Sequence, residues 1–368
     1  MAIGELDRAR TEPAGTQAPT PRRARPVVWW ALLGASWLTL LVYEWISWLA
    51  RGHAHATPTG PSKMPTWLKV DSFVIQVVVI VAALVILYRV VLKPWVATRR
   101  PTFDALFLLG WVSIWMVQDP WINYVQVQWN MNSHLWNLGC PQCEVPGWLS
   151  PHHERMSEPF FVLGVYILGL YGICLILNTI MRRARTRWPE IGVPGLVGIC
   201  FGSALVLDIV MEMIWMQAGE EVYAGAIRSV SLFPGGRFQF PVYEMVLLAL
   251  TWTAMASLRF FRNDADQSAA ERGLERVGGS GARKQVVRYI ALAGIMNCIF
   301  FACYNLPLQF FGLHADPWPA SVVDKSYITN MMCGPGTDFA CPGGTTPITN
   351  GGKTIHVRPD GSIAVPGK

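Results

Sequence analysis

Five carboxylates, Glu44, Asp119, Asp208, Glu212 and Glu244, fall within or at the ends of long apolar runs, with no Lys or Arg at a comparable depth. Ionisable groups in such segments are costly and usually face the interior of a helix bundle, so simple ion pairing does not account for them. Asp208 and Glu212 are four residues apart and share one helix face. Two carboxyls held together in a poorly solvated site resist losing both protons. The one that keeps its proton has the form a general acid needs. Blander roles exist for the same residues. Glu44 and Glu244 stand close enough to the interface to reach water, Asp208 and Glu212 can bond Ser, Thr, Asn or Tyr across a bundle, and a row of acids also suits a cation pathway. In the stretch QDPWINY, Asp119 and Pro120 make a good N-cap and N1 pair. That predicts a helix restarting there, with an anionic Asp119 shaping the lip of a chamber rather than donating a proton.

Trp111, Trp115, Trp121, Tyr124, Trp129, Trp136, Trp215 and Tyr243 surround these acids in the sequence. Most read as an interfacial aromatic belt. A minority facing inward would stack on a carbocation or oxocarbenium ion. Asn123, Asn130, Asn132 and Asn297 add neutral donors and acceptors, and Asn123 shares the face of Asp119 if the helix continues. The substrate-contact candidates are Trp115, Asn123, Tyr124, Asn132 and Trp215.

Cys174, Cys200, Cys298 and Cys303 lie in apolar runs and read as small buried hydrophobes. Cys140, Cys143, Cys333 and Cys341 lie in connecting segments and predict two disulfides, with three connectivities open. His53, His55, His134, His152, His153, His314 and His356 all lie outside the runs, which excludes haem ligation between spans. The CPQC word with His152 and His153 also permits a zinc site or a thiol oxidoreductase site, but disulfide bonding is the expectation and no metal is assigned. The chain has no P-loop, dinucleotide fingerprint, G-x-S-x-G or H-E-x-x-H, so no cofactor is expected.

The elements that must position these groups are membrane helices. Of the 368 residues, 52% are hydrophobic and only 15% charged, and mean hydropathy is +0.31 with 17 Trp. This is the profile of a multispanning membrane protein. A net charge of +6 comes from short clusters flanking apolar runs, so nucleic acid is not an expected partner. Seven runs reach roughly the 18 residues that cross about 30 Å of hydrocarbon. They are near 27–49, 70–91, 103–117, 160–181, 191–216, 242–261 and 289–311, and the third is the shortest. The fold class is therefore an all-α integral membrane bundle of about seven helices, multi-pass in the cell membrane.

Most of the 30 Lys and Arg fall on alternate sides in a way that places the N-terminus in the cytoplasm and the C-terminal tail outside. A signal-peptide reading of the first run, ending at Ala54-His55-Ala56, conflicts with its length. Residues 1–26 read as a disordered cytoplasmic tail, 27–311 as the membrane domain with an outer lid loop at 118–159, and 312–368 as a Cys-containing outer tail. A second polar stretch, 263–284, reads as a flexible inner loop.

The words QDPWINY, NMNSHLWNLG and EVPGW, placed after the third apolar run, resemble the AveC-type spirocyclases. The resemblance covers most of the spans in outline, and its words lie between Gln118 and Trp148. It implies closure of a dihydroxyketone polyketide into a spiroketal, with dehydration as a second activity. The basic N-terminal tail and the Cys-rich C-terminal tail have no counterpart in that pattern. Spiroketal formation needs protonation of a ketone or hemiketal, loss of water through an oxocarbenium ion and capture by a second hydroxyl. An acid, a base and aromatic walls suffice. Asp208 or Glu212 is then the expected acid, with Asp119 as anionic base or cation stabiliser, and the expected partners are an apolar small molecule and the lipid bilayer. Acid-initiated terpene-type cyclisation is the alternative chemistry, and a transporter or lipid-binding subunit is the non-enzymatic alternative.

Overall fold

A computed structural model describes residues 26–342, together with the backbone of two short strands at His356–Val357 and Ile363–Ala364. The expected N-terminal tail, residues 1–25, and most of the tail after 342 lie outside the described residues, as does the His356 side chain. Seven long helices form the bundle: α1 (Pro26–Ala50), α2 (Thr66–Thr98), α3 (Phe103–Asn123), α4 (Phe160–Arg187), α5 (Val193–Ala218), α6 (Val242–Phe260) and α7 (Gly281–Gly312). Six of them are long and apolar enough to cross a membrane, which marks a multi-pass membrane protein. The seventh expected span, α6, falls short of that criterion because Glu244 and Arg259 lower its hydropathy.

Burial separates inner from outer helices. Helix α3, the shortest run in the sequence, is 83% buried, whereas α1 is 11% buried and α2 and α5 are 22% buried. The inner α6 carries buried Thr251, Thr253 and Trp252. Outer helices present Val, Leu and Ile to lipid, as Val206, Val210 and Ile214 do on α5. Helix α1 docks on α7 by backbone contact. A Cβ on Gly34 would sit 1.9 Å from the Ile290 carbonyl, and one on Gly294 would sit 2.1 Å from that of Trp30. Small residues at such crossings are the usual means of helix association in lipid.

The two ends of the bundle differ. At one end the loops carry ion pairs: Arg259 grips Asp104 with both nitrogens at 3.0 Å and Asn178 at 2.7 Å, and Arg288 binds Glu271. At the other end, 51–65, 124–159, 219–241 and 313–342 interlock as a cap. Strand β1 (Asn130–Met131) pairs antiparallel with β2 (Glu221–Val222), and β3 (Ser231–Leu232) with β4 (Phe240–Pro241). Ser133 donates to the Tyr327 carbonyl from both N and Oγ, and Arg155 Nη1 reaches the Met331 carbonyl at 2.6 Å. Cys140 is bonded to Cys143 and Cys333 to Cys341, with Cα separations of 5.4 and 5.0 Å. Both disulfides are local, so each closes a turn of the cap rather than joining distant segments.

Candidate active site

Just beneath the cap lies a cavity of about 70 Å³. Its walls come from α3 (Asp119, Ile122), the following loop (Trp129, Met131), α4 (Phe161, Tyr166), α5 (Met211, Glu212, Trp215), β2 and its exit (Glu221, Tyr223), α6 (Leu248) and α7 (Phe300, Tyr304). No Lys, Arg or His lines it. Two wall segments are π-helical turns, Tyr166–Leu170 and Phe301–Asn305, a distortion found often at functional sites. In each, the extra residue in the turn helps bring a tyrosine, Tyr166 or Tyr304, to the cavity.

Glu212 reaches this wall because α5 buries a stripe at every fourth position: Leu196, Cys200, Ala204, Asp208, Glu212 and Met216. Asp208 and Glu212 thus share the one buried face of a helix that otherwise meets lipid. Glu212 Oε2 accepts from the Tyr223 hydroxyl at 3.0 Å, and its carboxyl lies against that of Glu221. Trp129 Nε1 donates to Glu221 Oε2 at 3.0 Å. Burial, aided by the neighbouring Glu212, pushes Glu221 well above the usual carboxylate range. Asp119, on the same cavity, lies beside Tyr166 and Glu158. Trp115 Nε1 donates to Glu158 Oε1 at 2.5 Å. Burial, then the Asp119 charge, holds Glu158 well above its usual range. The cavity therefore meets two carboxyl pairs, Glu212–Glu221 and Asp119–Glu158, each with one member outside the spans that burial holds well above the usual range.

Asp119 is not the helix N-cap expected from its Pro. The break falls one residue earlier, at Gln118, whose φ of −141° leaves the helical region. Gln118 is pinned there by α7: its Nε2 donates to Asn297 Oδ1 at 2.8 Å, and Asn305 Nδ2 donates to its carbonyl at 2.9 Å. With no cap hydrogen bond to make, the Asp119 carboxylate turns to the cavity.

The other candidates divide. Trp215 lines the cavity, its ring edge-on to Phe161 at 5.1 Å, and its Nε1 has no hydrogen-bond partner. Trp115 stands behind the wall and orients Glu158. Glu244 and Asp208 also stand behind it, both fully buried, with Glu244 Oε1 accepting from Tyr304 at 2.8 Å. Glu44 is buried on α1 and does not line the cavity. Asn123, Tyr124 and Asn132 are not at the cavity either. Asn123 Oδ1 accepts from the backbone N–H groups of Gln128 and Trp129 and so shapes the cap loop. Asn132 donates to the Gly219 carbonyl at 3.1 Å, and the Tyr124 hydroxyl donates to that of Pro146 at 3.2 Å. Amide side chains with short backbone neighbours serve the loop first.

Sequence reasoning passed over Glu158, Glu221, Tyr166, Tyr223 and Tyr304. Glu158 and Glu221 lie in connecting segments, outside any search confined to apolar runs. A usable signal was present: Glu158-Pro159 repeats the acid-Pro word of Asp119-Pro120 at the start of the next span. Of the thiols open to zinc, Cys140 and Cys143 are bonded to each other. Among the described residues, no three His, Cys, Asp or Glu are grouped to hold a metal.

These features define a multi-pass helical membrane protein with an acid-lined, aromatic-walled cavity under a cross-linked cap. Over residues 98–328, more than half of its length, the sequence matches the family model described as Spirocyclase AveC-like, and the chain belongs to that family. The matched region holds every residue lining the cavity and excludes Glu44. No curated protein and no solved structure matches the chain.

Proposed function

We propose that this chain is a cofactor-independent acid/base cyclase of the cell membrane that closes an apolar hydroxyketone, of polyketide or lipid type, into a spiroketal. The observation that carries the reading is an aromatic-walled cavity without a cationic side chain, lined by Asp119, Glu212 and Glu221, with burial holding Glu221 on its wall and Glu158 behind Asp119 well above the usual carboxylate range. Acid on one face and base on the other is what ring closure at a single carbon requires.

The dihydroxyketone closes its first ring to a hemiketal. Glu221, partnered by Glu212, protonates the hemiketal hydroxyl, whose C–O bond breaks to release water. The resulting oxocarbenium ion lies against the faces of Trp129, Trp215 and Phe161, opposite the Asp119 carboxylate. The second hydroxyl bonds to the cationic carbon and gives its proton to the Asp119–Glu158 pair. Of the two expected acids, Asp208 and Glu212, only Glu212 lines the cavity, and Glu221 takes the place of Asp208 as its partner.

Incubating protein in nanodiscs with an open-chain dihydroxyketone tests the reading by product mass. A product lighter by one water supports it. Conversion of a polyene to an isomer of equal mass would favour terpene-type cyclisation, and proteoliposome flux without a new product would favour a transporter.

A further inference from the structure

The cavity of about 70 Å³ is smaller than the roughly 300–1,000 Å³ of sites that hold extended small molecules, so part of its wall must yield when a hydroxyketone enters. On the cap side, that part would be the β1–β2 ladder. Met131 and Glu221 face the cavity, while their ladder neighbours Asn130 and Val222 turn away from it and are 1% and 3% exposed, Val222 within the apolar core of the cap. The same segments are tied by bonds from the Asn132 N–H to the Glu220 carbonyl at 2.8 Å and from the Gly225 N–H to that of Gln128 at 3.0 Å. Entry from above would break these.

The side wall between α4 and α5 is built differently. The two backbones draw together along Tyr171–Arg187 and stand apart over Phe160–Leu170, nearer the cap. Side chains fill the seam there. Trp215 meets Phe161 edge-on, and Met211 reaches toward Gly169, where an added Cβ would stand 3.3 Å from Met211 Sδ and 3.4 Å from Val165 Cγ1. Val165, Met211 and Trp215 line the cavity and are also partly exposed. Their neighbours Leu168, Val210 and Ile214 are 37%, 54% and 53% exposed, on the faces that meet lipid. The other partly exposed liners, Asp119, Trp129 and Tyr304, turn polar atoms inward, toward Tyr166, Glu221 and Glu244 respectively. A single layer of side chains thus separates cavity from hydrocarbon at the seam. The unbranched Met211 can repack there without giving up a hydrogen bond.

We propose that the apolar substrate enters, and the product leaves, sideways from the bilayer through the α4–α5 seam at Val165, Gly169 and Met211. The identity of what passes rests on the cyclase reading above. The route selects a hydroxyketone that partitions into the membrane over a water-soluble one with the same reactive core.

Photolabelling reads the route without turnover. Protein in nanodiscs is irradiated with an apolar diazirine dissolved in the bilayer or, separately, with a charged water-soluble diazirine, and labelled residues are mapped by mass spectrometry. Tyr223 and Phe300 line the cavity and are each 2% exposed, so they offer lipid almost no surface. The bilayer probe should label both in wild type and at least about fivefold less in Gly169→Phe, whose ring fills the seam. The water-soluble probe should label neither, and Leu168→Phe, on the lipid face, should leave the pattern unchanged. Gly169→Phe should also lower kcat/KM for a long-chain open-chain dihydroxyketone at least about tenfold. Labelling of Tyr223 and Phe300 by the water-soluble probe, by neither probe, or equally in Gly169→Phe overturns the side route, as does an unchanged kcat/KM. If Gly169→Phe does not fold, the wild-type pattern with the two probes decides alone. A side route overturned in a wild type that still dehydrates the dihydroxyketone leaves the cyclase reading standing. Bilayer-probe labelling in a wild type that dehydrates none keeps the route and removes the cyclase.

Discussion

The two ends of the bundle treat buried acids in opposite ways. At the end bearing 262–280, the buried Glu271 is bound by Arg288 and by the Ser268 amide, and the partly exposed Asp104 by Arg259. At the cap end, Asp119, Asp208, Glu212, Glu221 and Glu244 form no ion pair, and each has at least one tyrosine, tryptophan or carboxyl as neighbour instead. The cap itself can supply cations: Glu144 is held there by Arg51 at 2.9 Å and by His53. Compensated acids hold segments together, whereas uncompensated ones remain open to exchange protons. The contrast, within one chain, singles out the uncompensated acids that line the cavity, Asp119, Glu212 and Glu221, as the ones to test for chemistry.

Substitutions should sort along that line. Asp119→Asn, on the uncompensated side, should lower turnover by about 10²- to 10⁴-fold with little change in melting temperature, measured by product formation and calorimetry. On the compensated side Glu271→Ala should do the reverse, costing about 3 kcal/mol of stability because it removes the buried partner of a mostly buried Arg288, while turnover per folded molecule is retained. Chemical denaturation and an activity assay on the same samples would show the split.

Glu220 gives a pH signature. Burial raises it from the ordinary 4.5 to about 8, against a smaller lowering by Ser72. A carboxyl raised in the folded state favours the fold when protonated. Its stabilisation is therefore fully present below about pH 4.5 and is lost as pH rises to about 8. The wild type should lose stability across that window, on the order of a few kcal/mol, and Glu220→Gln should flatten the curve. The smallest effect is expected in the cap: Cys333→Ser, opening a short loop, should cost about 2 kcal/mol and leave the cavity acids and turnover in place.

Hydropathy marked all seven helices, α6 to within one residue, but its signal was strong for the outer helices and weak for the inner ones, for a physical reason. Helices α1, α2 and α5 face lipid and must be apolar around most of their surface, so they read clearly. Helices α3 and α6 face protein, and they include Ser113, Gln118, Thr251 and Glu244 with partners inside the bundle. The shortest apolar run, α3, and the one that falls short of a span by hydropathy, α6, are therefore the inner ones. The acids at positions 208 and 212 were legible because a four-residue spacing survives folding. Glu221 was not, because its depth comes from a loop that turns back into the bundle, a long-range outcome with no local pattern, and Glu158 carried only the short acid-Pro word it shares with Asp119. The amides at 123 and 132 misled in the other direction: their types suit a ligand, yet neighbouring backbone claims them.

The most direct measurement is turnover of an open-chain dihydroxyketone in nanodiscs by wild type and by a Glu212→Gln/Glu221→Gln double variant, with calorimetry and disulfide content recorded on both. Loss of the product one water lighter, with unchanged melting and intact Cys140–Cys143 and Cys333–Cys341 bridges, is the predicted result. Undiminished formation of that product by the double variant would contradict the assignment of the uncompensated acids to chemistry.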